Sequence, residues 1–348
     1  MSTKIGTPLA IGFVTVVLSV LMGCSAKTSS APNTPVSLKG AGATAPYFVY
    51  SKWMDAYRNA EPRVHLQYEP TGSGAGIRAL KAQTVDFAAS DIPLSDEEIG
   101  TMSVKPLHFP TLVGAIVPVY NVPKVGTLNF TGEVLSGIFS GRIRSWNDRA
   151  LLQLNPTAAL PASPIIVVHR GDSSGSTYAF TDYLSQVSET WRKDIGRGGT
   201  VPWPVGEAAS GNPAMAELVK KTPYSIGYVE LNYAIQDTLS YGFVRNAEGK
   251  FEKPDFRAVA AAANAVETMK TDFRASIANS PAKGAYPICT LTWLIVPSHI
   301  ADTGKLREMK KFLRWAYSDG QEIALKMDYG ILQPPFLNYV RDQIGKLQ

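Results

Sequence analysis

At 348 residues the chain has room for about two domains of ordinary size. Its 45% hydrophobic and 18% charged residues are a globular composition, which excludes collagen-like and mostly disordered classes. Lys and Arg total 34 against 29 Asp and Glu, a net charge of +5 spread without runs, so the basic stripe of a nucleic-acid groove is missing. His65, His108, His169 and His299 stand singly and the cysteines number two, so no metal or other cofactor is expected.

Lys4 is followed by an uncharged stretch from Ile5 to Gly23, with an apolar core from Leu9 to Met22 that has the length of a signal-peptide core rather than of a secure membrane span. The segment ends LMGC, with small Gly23 directly before Cys24, and this resembles a lipoprotein signal. The expectation is that residues 1–23 are removed, that Cys24 becomes the lipid anchor, and that the chain is exported to the periplasm or cell surface. A plain signal peptide or an uncleaved anchor, with Cys24 incidental, is the alternative. Residues 24–35 are small and proline-containing and read as a flexible tether, so folding starts near Val36. Cys289, in the apolar context YPICTLTWLIV, is then an inert buried thiol, and no disulfide staple is expected within the domains.

From Val36 one local pattern recurs: a β-like run, a loop of very small residues, then an amphipathic helix. VSLK leads to GAGAT, ending at Thr44, after which Tyr47, Tyr50, Met54 and Tyr57 follow the helical period. Val64, Leu66 and Tyr68 alternate as a strand, TGSGAG spans Thr71 to Gly76, and Ile77 and Leu80 start a helix. TVDFAASD puts Val85 and Phe87 on a strand ending at Ser90 and Asp91. PIIVVHR, Pro164 to Arg170, enters GDSSGST, after which Phe180, Tyr183, Leu184 and Val187 share a helix face. PYSIGYVELNYA, Pro223 to Ala234, reads as a strand entering a turn or helix, and the last helix is expected around Met309 to Tyr317. Strands alternating with helices predict an α/β architecture. Two long apolar strands, Thr111–Asn121 and Cys289–Pro297, are either ordinary core strands or segments that carry the chain between two lobes.

Helix starts leave backbone N–H groups unpaired and carry partial positive charge, so three glycine-lined helix starts are candidate anion sites. Serine and threonine add neutral hydroxyl donors there. Any one of Thr44, Ser73 or Ser174 could instead only cap its own helix. Arg170, four residues before Ser174, supplies a fork that fits a tetrahedral oxyanion, and Asp172 is placed to orient it. Asp91 sits where the anion would bind; a carboxylate there selects an anion that still carries a proton, as phosphate does and sulfate does not. The bland alternative for Asp91 is a turn or cap ahead of Pro93. Neither GxGxxG nor GxxxxGK[ST] is present, so nucleotide fingerprints fail.

Several long segments resemble the periplasmic phosphate-binding proteins of the high-affinity phosphate ABC transporter: LKGAGATAPYFVYSKW, YEPTGSGAGI, TVDFAASDIPLS, FPTLVGAIVPVYNVP, SGRIRSWND, HRGDSSGSTYAFTDYL, VPWPVG and IGYVE. The resemblance implies a type II, two-lobed α/β fold with two crossing strands, lobe 1 being residues 36–113 and 297–348 and lobe 2 residues 114–296. It implies that Thr44, Ala45, Ser73, Asp91, Arg170, Ser174, Gly175 and Ser176 hold phosphate. Ala45 stands where the family usually has phenylalanine and contributes a backbone donor, and Ser176 stands where threonine is usual. The implied partners are phosphate, the permease subunits of the transporter and, through Cys24, a membrane, with a monomer as the working form. No catalysis is expected. The competing readings are an exported phosphatase with Ser73 or Ser174 as nucleophile, which needs an adjacent base, and a receptor for another tetrahedral oxyanion such as sulfate.

Overall fold

The computed structural model describes residue 6 and residues 35–264, 274–327, 329–332 and 334–348. The expected signal segment, Cys24 and the tether therefore lie, but for Gly6 and Pro35, outside the described residues. In chain order the strands are β1 Val36–Gly42, β2 Val64–Glu69, β3 Phe87–Ser90, β4 Pro106–Asn121, β5 Asn129–Phe130, β6 Ile166–Arg170, β7 Glu207–Ala209, β8 Ser225–Glu230, β9 Ser240–Tyr241, β10 Phe243–Arg245, β11 Phe251–Glu252 and β12 Cys289–Pro297. The main sheet has the order β2-β1-β3-β12-β4-β8-β6-β7, with β9 also on β4, and β11-β10-β5 form a small second sheet.

β1 runs parallel to β2 and β3, and β6 parallel to β7 and β8. Parallel neighbours require crossovers, and these are made by helices Tyr47–Ala60 and Ser73–Lys81 on one side and Gly175–Val187 and Gly211–Lys221 on the other. The helices form where the 3.6-residue period puts large apolar groups on one face: Tyr50 and Tyr57 in the first and Phe180, Tyr183 and Leu184 in the third are buried. β2 shows strict alternation, with Val64, Leu66 and Tyr68 inward and the residues between them exposed.

β4 and β12 run antiparallel through the middle of the sheet. The first part of β4 pairs with β12, from Pro106 opposite Pro297 to Ala115 opposite Cys289, and its last six residues pair with β8. Apolar side chains gather in two cores, one around Trp53, Tyr57, Phe109 and Phe312, the other around Tyr120, Phe139, Trp146, Phe180 and Tyr228. The architecture is the expected α/β one, two-lobed with crossing strands.

The elements differ from the sequence reading in their extents. β3 begins at Phe87, because Val85 lies in the bend before Asp86, whose N–H donates to Lys39 O. β1 continues through Gly40–Gly42, which pair with β3, so half of the first small-residue loop is strand. β4 begins at Pro106 rather than Thr111, and the late helix is Thr303–Ala316. The register of β4 against β12 slips at Thr292/Trp293, where Leu112 and Pro110 are the successive partners and Thr111 is the extra residue. Pro110 has no N–H to give the ladder, so a bulge falls there. Cys289 is buried on β12, and burial pushes its thiol well above the ordinary range, as expected for an inert cysteine.

Candidate functional site

In open α/β sheets the groups that bind ligand lie past the carboxyl ends of the parallel strands. Here Thr44 follows β1, Ser73 follows β2, Asp91 follows β3, Arg170 ends β6 with Ser174, Gly175 and Ser176 just beyond, Asn212 follows β7 and Glu230 ends β8. These chain ends converge. Thr44, Ala45, Ser73, Asp91, Arg170, Ser174 and Ser176 are each at most 5% exposed, and Gly175 is buried.

Each candidate hydroxyl has an N–H on its acceptor side. Asp91 N–H donates to Ser73 Oγ (3.2 Å), Thr177 N–H to Ser174 Oγ (3.1 Å), and Asn212 Nδ2 to Thr44 Oγ1 (2.8 Å) and Ser176 Oγ (3.3 Å). Ser176 Oγ in turn donates to Asn212 Oδ1 at 3.4 Å, so among the described residues it alone of the four has its proton engaged within the chain. A hydroxyl whose lone pair is taken in this way keeps its own proton to donate. Of the three capping alternatives only Ser174 caps its helix. The helix Tyr47–Ala60 has Pro46 at its cap position with no side-chain bond, and Ser73 is the first residue inside its helix, the cap being Gly72 at φ 97°, which suits glycine.

Arg170 is clamped by Asp172, with Nε donating to Oδ1 at 2.6 Å and Nη2 to Oδ2 at 2.5 Å. Gly211 N–H also donates to Asp172 Oδ1 at 3.2 Å. Burial works to raise the Asp172 carboxyl, but the hydrogen bonds and charge of Arg170 outweigh it and hold the group below the ordinary carboxylate range. Two of the five guanidinium N–H groups are used by this pair, which fixes the plane of the fork and leaves the others to donate.

Asp91 is the acid that faces the Ser73 and Gly175 side of these donors, and Ser90 rather than Asp91 makes the local turn, its Oγ bonding both N–H and O of Ile92. Thr292 Oγ1, on the β12 side of the bulge, donates to Asp91 Oδ1 at 2.5 Å. A Cβ on Gly175 would stand 2.4 Å from Asp91 Oδ2 and 2.5 Å from Ser73 Oγ, so only glycine lets the start of the Gly175–Val187 helix approach. Burial pushes the Asp91 carboxyl up to about 6, against the Thr292 hydrogen bond and the Arg170 charge, both of which lower it.

The sequence reading missed several members. Three tyrosines donate to consecutive carbonyls of the first loop: Tyr68 to Ala43 O (2.5 Å), Tyr233 to Thr44 O (2.8 Å) and Tyr329 to Ala45 O (2.7 Å). These three bonds fix the backbone of the loop at Ala43, Thr44 and Ala45. Asn212 is fully buried, and its Oδ1 accepts from Glu230 N–H at 3.2 Å. Burial pushes Glu230 up to about 8, against hydrogen bonds from Asn232 and Tyr329. The one available signal was grammatical, since EAASGN and SIGYVELN are further strand-to-helix junctions with polar residues at the turn. His169, beside Arg170, stacks on Trp203 (5.0 Å between ring centroids) rather than on a site hydroxyl.

The site can therefore surround a small tetrahedral anion with hydroxyl, backbone and guanidinium donors and meet it with one carboxylate. Residues 28–320 match the model of the PBP superfamily domain. The chain is 38% identical over 308 residues to the phosphate-binding protein PstS of Xylella fastidiosa, covering 88% of this chain and 84% of that protein. It is 36% identical over 329 residues to that of Pasteurella multocida, covering 94% of each. Among solved structures it resembles a high-affinity periplasmic phosphate-binding protein bound with phosphate (TM-score 0.69, 22% identity, 88% of this chain and 93% of that one). It also resembles a substrate-binding protein with bound phosphate from Clostridium perfringens (TM-score 0.62, 17% identity, 85% and 100%). At these identities the two structures speak for the fold.

Proposed function

The chain belongs to the PstS family of phosphate-binding proteins within the PBP superfamily, and we propose that it closes its two lobes around inorganic phosphate and delivers it to the permease of a phosphate ABC importer. The observation that carries the site is that Thr44, Ser73, Ser174 and Ser176 each have an N–H on the acceptor side while Asp91 keeps one oxygen towards Gly175. This is a set of donors with one acceptor, the complement of an oxyanion that carries one proton. Backbone donors from Ala45, Gly175 and Ser176 and the Arg170 fork complete the shell, with Asp172 orienting the fork.

In this reading residues 36–113 and 297–348 form lobe 1 and 114–296 lobe 2, so Thr44, Ser73 and Asp91 meet Arg170 and the Ser174–Ser176 turn from the opposite lobe. The family role is outside the cytoplasm, and LMGC supports a mature chain anchored through Cys24; a monomer is taken as its working form. A phosphatase would need a base beside Ser73 or Ser174; both hydroxyls accept a backbone N–H, and the one carboxylate near Ser73, Asp91, is the group this reading assigns to the ligand's proton.

The test is equilibrium dialysis of labelled phosphate against wild type, Arg170→Ala and Arg142→Ala. Arg170 is almost fully buried, so its loss leaves anion charge unpaired and should weaken binding by about 2–5 kcal/mol. Arg142 is exposed and, among the described residues, its guanidinium donates to Ser136 and Ser140, so its loss should leave binding close to wild type. Equal weakening by both would refute the site.

A further inference from the structure

We propose that Asn212 is a positioning residue that forces the Thr44 hydroxyl to act as a donor to the bound anion, and thereby steers the ligand's own proton to Asp91; this rests on the reading of Thr44 as an anion contact. Asn212 lies in the first turn of the Gly211–Lys221 helix, after the last strand of the sheet order, whereas Thr44 follows β1 near the opposite end of that order. The two meet in a fully buried contact.

The direction of the Asn212 amide is fixed by an unambiguous partner. Glu230 N–H can only donate, and it faces Oδ1 at 3.2 Å, so Nδ2 must face Thr44 Oγ1 at 2.8 Å. The Asn212 backbone N–H points at the same oxygen at 3.4 Å. Thr44 Oγ1 thus receives two N–H groups, which is as many as its two lone pairs accept. Its hydroxyl proton is all it can offer a ligand, and it cannot accept one. An anion oxygen bearing a proton is therefore turned away from Thr44, and of the acceptors that remain the Asp91 carboxylate is the strongest, ahead of the single spare lone pairs of Ser73 and Ser174. The amide does this without touching the anion, through the hydroxyl it fills.

The test is a double-mutant cycle read as the phosphate dissociation constant of the full chain by calorimetry, using Asn212→Ala, Thr44→Val and the pair. Each single variant should weaken binding roughly tenfold, the cost of one hydrogen bond to a charged group. In the Thr44→Val background Asn212→Ala should cost at least about threefold less than in wild type, because the hydroxyl it mainly acts through is gone and only its bond to Ser176 Oγ is left to lose. Asn212→Asp, which keeps the Oδ1 acceptor but takes the Thr44 proton for itself, should show the same coupling and serves if the alanine variant is unfolded by circular dichroism. Losses that multiply independently, or no loss from either Asn212 variant, would overturn the proposal. If Thr44→Val binds phosphate as wild type does, Thr44 is not an anion contact and this inference falls with that residue. If wild type itself does not bind phosphate, the functional reading is what fails.

Discussion

Thr292 Oγ1 donates to Asp91 Oδ1 across 2.5 Å, which commits one carboxylate oxygen to the crossing strand and leaves Oδ2 beside Gly175 at the start of the Gly175–Val187 helix. The pairing lies beside the bulge at Pro110–Thr111, where the register of β4 against β12 shifts next to Thr292. A carboxylate anchored in this way cannot swing out to water, so in the proposed site it would be matched by a proton on the ligand.

Sulfate has no proton at neutral pH and should be rejected by wild type. Burial sets the Asp91 carboxyl at about 6, so below that pH it is protonated and becomes a donor. Sulfate affinity should rise as pH falls from 8 towards 5, by at most ~10-fold per unit above 6, and level off below it. Asp91→Asn supplies a donor at every pH, so it should bind sulfate with little pH dependence while losing only ~1.5–3 kcal/mol of phosphate affinity. Competition assays at pH 5 and 8 measure this, and a flat wild-type profile would remove Asp91 from the discriminating role.

Gly175→Ala tests the close approach. Its Cβ would stand 2.4 Å from Asp91 Oδ2, so overpacking of about 1–3 kcal/mol should weaken phosphate binding about fivefold to 150-fold. Gly345→Ala, where a Cβ meets nothing within 4 Å, is the control and should bind as wild type. Indistinguishable affinities for the two variants would mean that the helix start does not press on the site.

Glu230 makes ligand-free stability depend on pH. Its carboxyl is pushed from 4.5 to about 8, so between those values the folded chain holds a proton that the unfolded chain has released. Stability is therefore fully present below about 4.5 and is lost as pH rises through 8, by at most ~1.4 kcal/mol per unit. Asp91 contributes with the same sign only up to about 6, so the window from 6 to 8 isolates Glu230. Urea midpoints at pH 6 and 8 should differ for wild type and differ much less for Glu230→Gln. The same slope in both would show that Glu230 titrates as an ordinary carboxyl.

The strand-loop-helix units were legible because their signals are local: alternation in Val64, Leu66 and Tyr68, and the helical spacing of Phe180, Tyr183 and Leu184. Thr44, Ser73, Asp91 and Arg170 were legible for the same reason, being chemistry-bearing residues at strand ends. Asn212 was not, since β7 is three residues long and two of them are exposed, so no periodicity announces a strand before it. The tyrosine donors were hidden by distance: Tyr233 and Tyr329 lie 189 and 284 residues from the carbonyls they hold. The bulge was hidden too, because Pro110 alone does not say which strand it will face.

The central claim is that this cleft recognises a tetrahedral oxyanion by the proton it carries. Calorimetric titration of the full chain, stripped of bound anion, at one pH near 7.5 and one salt concentration tests it most directly, with phosphate, arsenate and sulfate as the three titrants. Phosphate should bind at one site per chain, arsenate should compete for that site because it too carries a proton, and sulfate should give no binding heat. Sulfate binding as tightly as phosphate, or phosphate giving no heat, would contradict the account.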